Sequence, residues 1–127
     1  MRLVIVVALV AIKDRKLLIV RTDDLWTLPG GHREPAEDDL MCLYREIREE
    51  LPELSVRDVR FFCTVEGRTP RSDEPLRLFA YRATAEGPIT PGSEVVEAVW
   101  TPFPSPYPLA EPTERILAAL HESGLVG

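Results

Sequence analysis

Residues 31–50 read GHREPAEDDLMCLYREIREE, directly after Leu28-Pro29-Gly30, and they load one face of a helix with acid beside a face built to dock. At about 100° per residue in an α-helix, Glu46, Glu49 and Glu50 fall within an arc of about 100°, with Glu46 in the middle. Leu40, Leu43, Tyr44, Ile47 and Leu51 occupy the adjoining sector, so an apolar stripe runs beside the acidic one. Like charges at i,i+4 oppose each other, and partial burial adds a desolvation cost. A positive partner relieves both. Hard divalent cations with oxygen ligands suit three carboxylates, and magnesium binds through a few of them while keeping waters and phosphate oxygens in its shell. The competing reading of the helix alone is a solvated face on which Arg45 and Arg48 relieve the repulsion. The Leu-Pro-Gly-Gly before it and the offset of Glu37 favour the metal site.

The spacing runs Gly31, five residues, Glu37, seven residues, Arg45-Glu46, an aliphatic residue, any residue, Glu49-Glu50. This resembles the Nudix box, the signature of hydrolases acting on nucleoside diphosphates linked to another moiety. The resemblance implies an α/β fold, an α/β/α sandwich with a mixed β-sheet. It implies a magnesium- or manganese-dependent pyrophosphohydrolase that cleaves a phosphoanhydride bond by water attack on phosphorus. Glu46, Glu49 and Glu50 would then hold the metal, with Gly30 or Gly31 offering a carbonyl and one glutamate, Glu46 first, acting on the water. In some members the base lies outside the box, which makes Glu94 or Glu97 a second candidate for the metal and the water. Arg45 resembles the arginine that orients a glutamate, and Glu37 the one that fixes the loop and helix start. Simple helix salt bridging would leave the same trace at those two positions. The chain departs from the pattern where a glycine and an aliphatic residue are expected after the box, since Pro52 and Glu53 stand there. Proline disfavours the α conformation at the residue before it, so the helix stops at Glu50 or Leu51, and Leu54 supplies the aliphatic contact one residue late.

At 127 residues and 45% hydrophobic content, the chain is sized for one domain spanning residues 1–127 around one core. The net charge of −6 argues against binding nucleic acid polymers, which needs clustered Lys and Arg. A small nucleotide-type substrate remains compatible, its charge met by the metal and by local arginines. Cys42 and Cys63 form no metal-type spacing and no disulfide framework, and they read as buried thiols of a reducing, cytoplasmic compartment. Arg2 followed by the apolar run 3–12 looks like the start of a secretory signal, but the run passes into Lys13-Asp14-Arg15-Lys16 with no small-x-small site, and a second apolar run, 17–20, follows. That is a hairpin whose first strand is covered on both faces, and ten residues are too few to cross a bilayer.

Further strands are expected at 25–28, 55–66, 76–84 and 95–100, and helices at roughly 36–50, with Pro35 at the first helical position, and 111–123. Residues 29–31 read as a loop, 67–75 as a polar loop, 87–92 as a turn, and Pro102, Pro104, Pro106 and Pro108 as a connection. Leu76, Leu78 and Ala80 alternate with Arg77, Phe79 and Tyr81, which marks a strand with two distinct faces.

For the substrate, Trp26, Phe62, Phe79 and Tyr81 offer rings for a base, and Arg21, Arg68 and Arg71 offer cations for phosphates. Core packing and surface solvation are the bland alternatives for the two groups. His32 follows the glycine pair, and Pro70 lies seventeen residues beyond Glu53, near where some dinucleoside-sugar hydrolases of this family carry a proline. Two other classes stand beside the hydrolase. One is a catalytically silent ligand-binding or regulatory module, which the intact glutamates oppose. The other is different chemistry on the same scaffold, such as a diphosphate isomerase, for which Cys42 and Cys63 are poorly placed. Monomer and homodimer are equally compatible with the chain.

Overall fold

A computed structural model describes residues 2–127, with seven strands and two helices in the described part. The strands are β1 (Val4–Lys13), β2 (Lys16–Arg21), β3 (Trp26–Thr27), β4 (Gly30–His32), β5 (Ser55–Arg68), β6 (Pro75–Glu86) and β7 (Glu97–Thr101). The helices are α1 (Asp39–Glu50) and α2 (Glu111–Glu122).

The apolar run near the N-terminus is the centre of the sheet. β1 pairs in parallel with β6 over Val4 to Ala11, and its other edge takes β4 beside Val6 to Ala8 and β2 at Ile12 and Lys13, both antiparallel. The strand path β3-β2-β1-β6-β5, with β7 on β2 and β4 on β1, makes a mixed sheet of seven strands. Period-two alternation divides β1 between two cores. Val7, Leu9 and Ala11 pack with Cys42, Leu43 and Ile47 of α1, while Ala8 and Val10 pack with Ile116, Leu117 and Leu120 of α2. The sheet is thereby filled on both faces, giving the expected α/β/α sandwich. Leu78 and Ala80 of β6 turn to the α2 side, and Tyr81 turns to the α1 side.

Several boundaries differ from the sequence reading. α1 starts at Asp39 and not near residue 36, because Asp38 takes the N-cap and its carboxylate accepts from the Met41 amide at 2.8 Å. Pro35 therefore sits in a turn before the helix, closed by Glu37 N–H donating to Glu34 O at 3.0 Å. Asp38→Ala should lower stability by about 1 kcal/mol, the usual worth of such a cap, readable as a drop in urea midpoint at constant slope. Of residues 29–31, expected as a loop, Gly30 and Gly31 instead form β4 together with His32, because the glycines let a further strand approach β1 closely. β3 is shorter than expected, and β5 runs two residues further, with register shifts between Arg57 and Arg60 and between Phe61 and Cys63. At its end α1 stops as the proline requires: Leu51 has φ −137° and ψ 72°, its N–H still donates to Ile47 O at 2.8 Å, and Leu54 is buried on the α1 side. No helix among the described residues is long and apolar enough to cross a membrane.

Candidate active site

The site is assembled where β4 lies between β1 and α1. Gly30 has φ +146°, and a Cβ there would stand 2.1 Å from the Val7 carbonyl oxygen. At Gly31 a Cβ would meet the Glu46 carboxyl carbon at 2.5 Å. Both glycines are thus demanded by close approach, the first to β1 and the second to the acidic face of α1. The Gly30 amide donates to Glu50 Oε1 at 3.1 Å, tying the last residue of α1 to the strand.

Arg45 is the hub of the acidic cluster. Its guanidinium donates through Nε to Glu37 Oε2 at 2.5 Å and through Nη2 to Glu37 Oε1 at 2.9 Å, a two-pronged pairing. Its Nη1 donates to Glu46 Oε1 at 2.8 Å, Nη2 reaches the His32 carbonyl at 3.2 Å, and Glu49 lies 3.6 Å away at i,i+4. The hydrogen bonds from Arg45 hold the Glu37 carboxyl down to about 2, and Glu37 in turn raises the guanidinium above its ordinary value. Glu37 also accepts from the Glu34 amide at 2.9 Å, so one carboxylate ties the turn to the helix.

Glu50 is the opposite case. Burial pushes its carboxyl up to about 8, with Glu46 and Glu49 adding to the rise and the Gly30 amide offsetting part of it. Without a cation, the acidic face keeps Glu50 protonated near neutrality. Among the described residues no three His, Cys, Asp or Glu side chains converge on one point, since Glu46 is drawn toward Arg45 and Glu49 is half exposed beside it. The donor chemistry fits a hard divalent ion: three carboxylates with glycine backbone alongside, one of them pushed toward its neutral form by burial and by its two acidic neighbours. A raised carboxyl pKa contributes stability that is full below the unfolded value near 4.5 and is lost as pH rises through about 8. Metal-free protein should therefore melt lower at pH 8.5 than at pH 6, and Glu50→Gln should flatten that slope in a calorimetric series. An unchanged slope in the variant would show that Glu50 is not the group responsible.

Beside this cluster lies a cleft of about 770 Å³ on the α2 side of the sheet. Its walls include Ala8, Leu28, Leu76 and Leu78, its rim is formed by the 22–25 and 69–72 segments, and Gly30, His32 and Glu94 mark the end nearest the box. Gly30 borders the cleft and bonds Glu50, so the two regions share one backbone wall. Glu94 reaches this end because Gly92 N–H donates to Glu50 O at 2.8 Å and Val95 N–H closes back on Gly92 O at 3.0 Å. Glu97 does not. It begins β7, and its carboxylate accepts from Arg21 at 2.5 Å.

The residues read as substrate contacts scatter. Trp26 is only 4% exposed and packs its ring 4.7 Å from Tyr107, which makes it core and no stacking platform. Arg21 is engaged by Glu97 and by the Asp23 carbonyl, with its guanidinium 5.7 Å from the Trp26 ring. Arg68 pairs with Asp73 within its own loop. Tyr81 faces α1, away from the cleft, where its hydroxyl donates to Asp39 at 2.5 Å, and burial pushes it up to about 12. Phe62 packs against the α2-side core. Cys42 is buried under β4 with its thiol pushed up to about 11 by burial, and it is inert for nucleophilic work. Arg71 and Pro70 do line the cleft, and Arg71 pairs with Asp23 across its mouth. Sequence reasoning gave no role to Asp23, Asp24 or Thr113. The Thr113 hydroxyl accepts from the Leu28 amide at 3.2 Å across 85 positions of sequence, and no local pattern signals such a contact.

A family model described as NUDIX domain matches residues 1–120. Among solved structures, the E. coli ORF135 protein is 28% identical, with 97% of this chain and 94% of that one covered at a TM-score of 0.71. A MutT NUDIX hydrolase from Burkholderia pseudomallei is 20% identical, with 93% and 98% covered at a TM-score of 0.80. An ADP-ribose pyrophosphatase from Streptococcus suis is 22% identical, with 95% and 91% covered at a TM-score of 0.67.

Proposed function

The chain belongs to the NUDIX domain family, and from that premise we propose that it is a magnesium- or manganese-dependent hydrolase cleaving a phosphoanhydride bond of a nucleoside diphosphate-linked small molecule. The observation that carries this reading is Glu50, a partly buried carboxyl beside two further glutamates and held by a backbone amide, where a bound cation would favour its charged form. On this reading Glu46, Glu49 and Glu50 hold the ion, with carbonyl oxygen from Gly30 or Gly31. When bound, the ion supplies Lewis-acid polarisation of a phosphoryl oxygen and a lowered pKa for a coordinated water.

The remaining work falls to the chain. Arg45 fixes the rotamer of Glu46 from one side and the turn from the other, through Glu37, so both are held in place before substrate arrives, while Glu49 must turn to join the ion. Glu46 or Glu94 accepts the proton as water oxygen bonds to phosphorus. The bridging P–O bond breaks, and its electron pair leaves with the departing phosphate. The substrate body lies along the apolar walls of the cleft, with Arg71 at the mouth as the cation nearest its phosphates or base. Trp26, Tyr81, Arg68 and Arg21 have no part in that contact.

The test is direct. The protein with magnesium is incubated with nucleoside triphosphates, ADP-ribose, dinucleoside polyphosphates and diphosphoinositols, and released phosphate or pyrophosphate is measured. Product from one class, abolished by chelation, supports the proposal. Absence of product from every class assigns the fold to ligand binding without turnover. Within the active class, Arg71→Ala should raise KM about tenfold with kcat little changed, the loss of one charge-assisted contact.

A further inference from the structure

A second concavity, of about 370 Å³, lies where β1 and β6 end and β5 begins, and Lys13, Arg60, Arg82, Thr84 and Glu86 are on its lining. This is the opposite end of β1 from β4, whose pairing spans Val6 to Ala8. Arg60 and Arg82 are direct partners across the antiparallel β5 and β6 pair. Like charges in that position destabilise a sheet. Among the described residues neither arginine forms an ion pair, and neither does Lys13. Glu86 does not settle the balance, because its carboxylate already takes Arg57 at 2.7 Å. Arg82 is braced by a ring, 5.9 Å from Phe62 on the α2 side, whereas the Lys13 ammonium stands 6.0 Å from Trp100 on the α1 side, so the two arginines are the cations that face each other.

An acidic chain thus keeps two guanidiniums without ion pairs on one hollow, with a cross-strand repulsion left standing. We propose that this groove binds a small multiply charged oxyanion, a phosphate or pyrophosphate group, free or carried on a small molecule, at a site separate from the box. Two guanidinium forks match the oxygens of a tetrahedral phosphate better than those of a monovalent anion, and the Thr84 hydroxyl adds a neutral donor. The net charge of −6 of the whole chain, these cations included, repels an extended polyanion, so the ligand is small. Arg60 and Arg82 face each other tolerably once an anion lies between them.

An NMR titration of the full chain with inorganic pyrophosphate, metal-free and at physiological ionic strength, tests this. Saturable amide shifts are expected at Lys13, Arg60 and residues 82–87, with affinity about tenfold weaker in Arg82→Gln. Parallel titrations with inorganic phosphate and adenosine monophosphate separate a free anion from a carried one by which saturates first. Arg60→Gln should melt higher than the parent without ligand, since a facing charge is gone, and should lose the stabilisation by pyrophosphate. Neither variant touches the box, so turnover on the proposed substrate should stay at the parental rate. Absence of saturable shifts at millimolar pyrophosphate, or parental affinity retained in both variants, would overturn the proposal.

Discussion

Replacing Glu49 by glutamine is expected to lower kcat at least about a hundredfold, roughly 3 kcal/mol of transition-state stabilisation, while moving the melting temperature by no more than a few degrees. The two effects separate because Glu49 is half exposed and its only ion pair among the described residues is a loose one, 3.6 Å to Arg45. An exposed i,i+4 pair of that kind adds little to stability. Its proposed task lies wholly in sharing a cation with Glu46 and Glu50, and glutamine keeps the shape while removing the charge. Raised magnesium should recover part of the loss if the defect is in metal affinity. Parental turnover in the variant would exclude Glu49 from the site.

Arg45→Ala is expected to fail in both respects, losing about ten- to a hundredfold in turnover and several degrees in melting temperature. Arg45 touches no substrate on this account and acts as a positioning residue. Its removal leaves Glu37, whose side chain is 10% exposed, without the two-pronged partner that keeps it ionised, and frees Glu46 to rotate. The pH dependence tells positioning from mere packing. In the parent, the Glu37 contribution is present above its unfolded value near 4.5 and is lost as pH falls toward about 2. In Arg45→Ala that acid-side loss should vanish, so the two melting curves should approach each other at low pH. Arg45→Lys should restore charge without the fork and recover only a minor part of the turnover. Full recovery by lysine would mean that the geometry at Glu37 is dispensable.

The sequence carried those features that depend on local periodicity and close spacing. The glutamate arc and most of its neighbouring apolar stripe were legible because one helix holds both: Leu43, Ile47 and Leu51 are buried where the wheel puts them, whereas Leu40 and Tyr44 of the same stripe lie at its edge and are exposed. The double burial of β1 was legible because an unbroken Val, Ile and Leu run has no solvent face to offer. Helix and strand ends were less so: the competition between Pro35 and Asp38 for the start of α1 is decided by a side-chain cap, and sequence alone favoured the proline. β4 escaped notice because two glycines in a row read as a turn, and their strand role depends on the distant Val7 carbonyl and Glu46 carboxyl. Aromatic residues misled for the same reason. Nothing local distinguishes Trp26, which the chain buries against Tyr107, from a ring left open to a ligand. The cleft is a product of long-range assembly, with β3, the 69–72 loop and the start of α2 brought together, and of its lining the sequence had marked Gly30, His32, Pro70, Arg71 and Glu94 as candidates without showing that they meet.

Anomalous diffraction from crystals soaked in manganese bears most directly on whether the acidic face of α1 is a metal centre. One strong peak is expected within bonding distance of carboxylate oxygens from Glu46, Glu49 and Glu50, with Glu49 swung off Arg45 to join it. A map with no peak there, or with manganese bound only elsewhere, would contradict it.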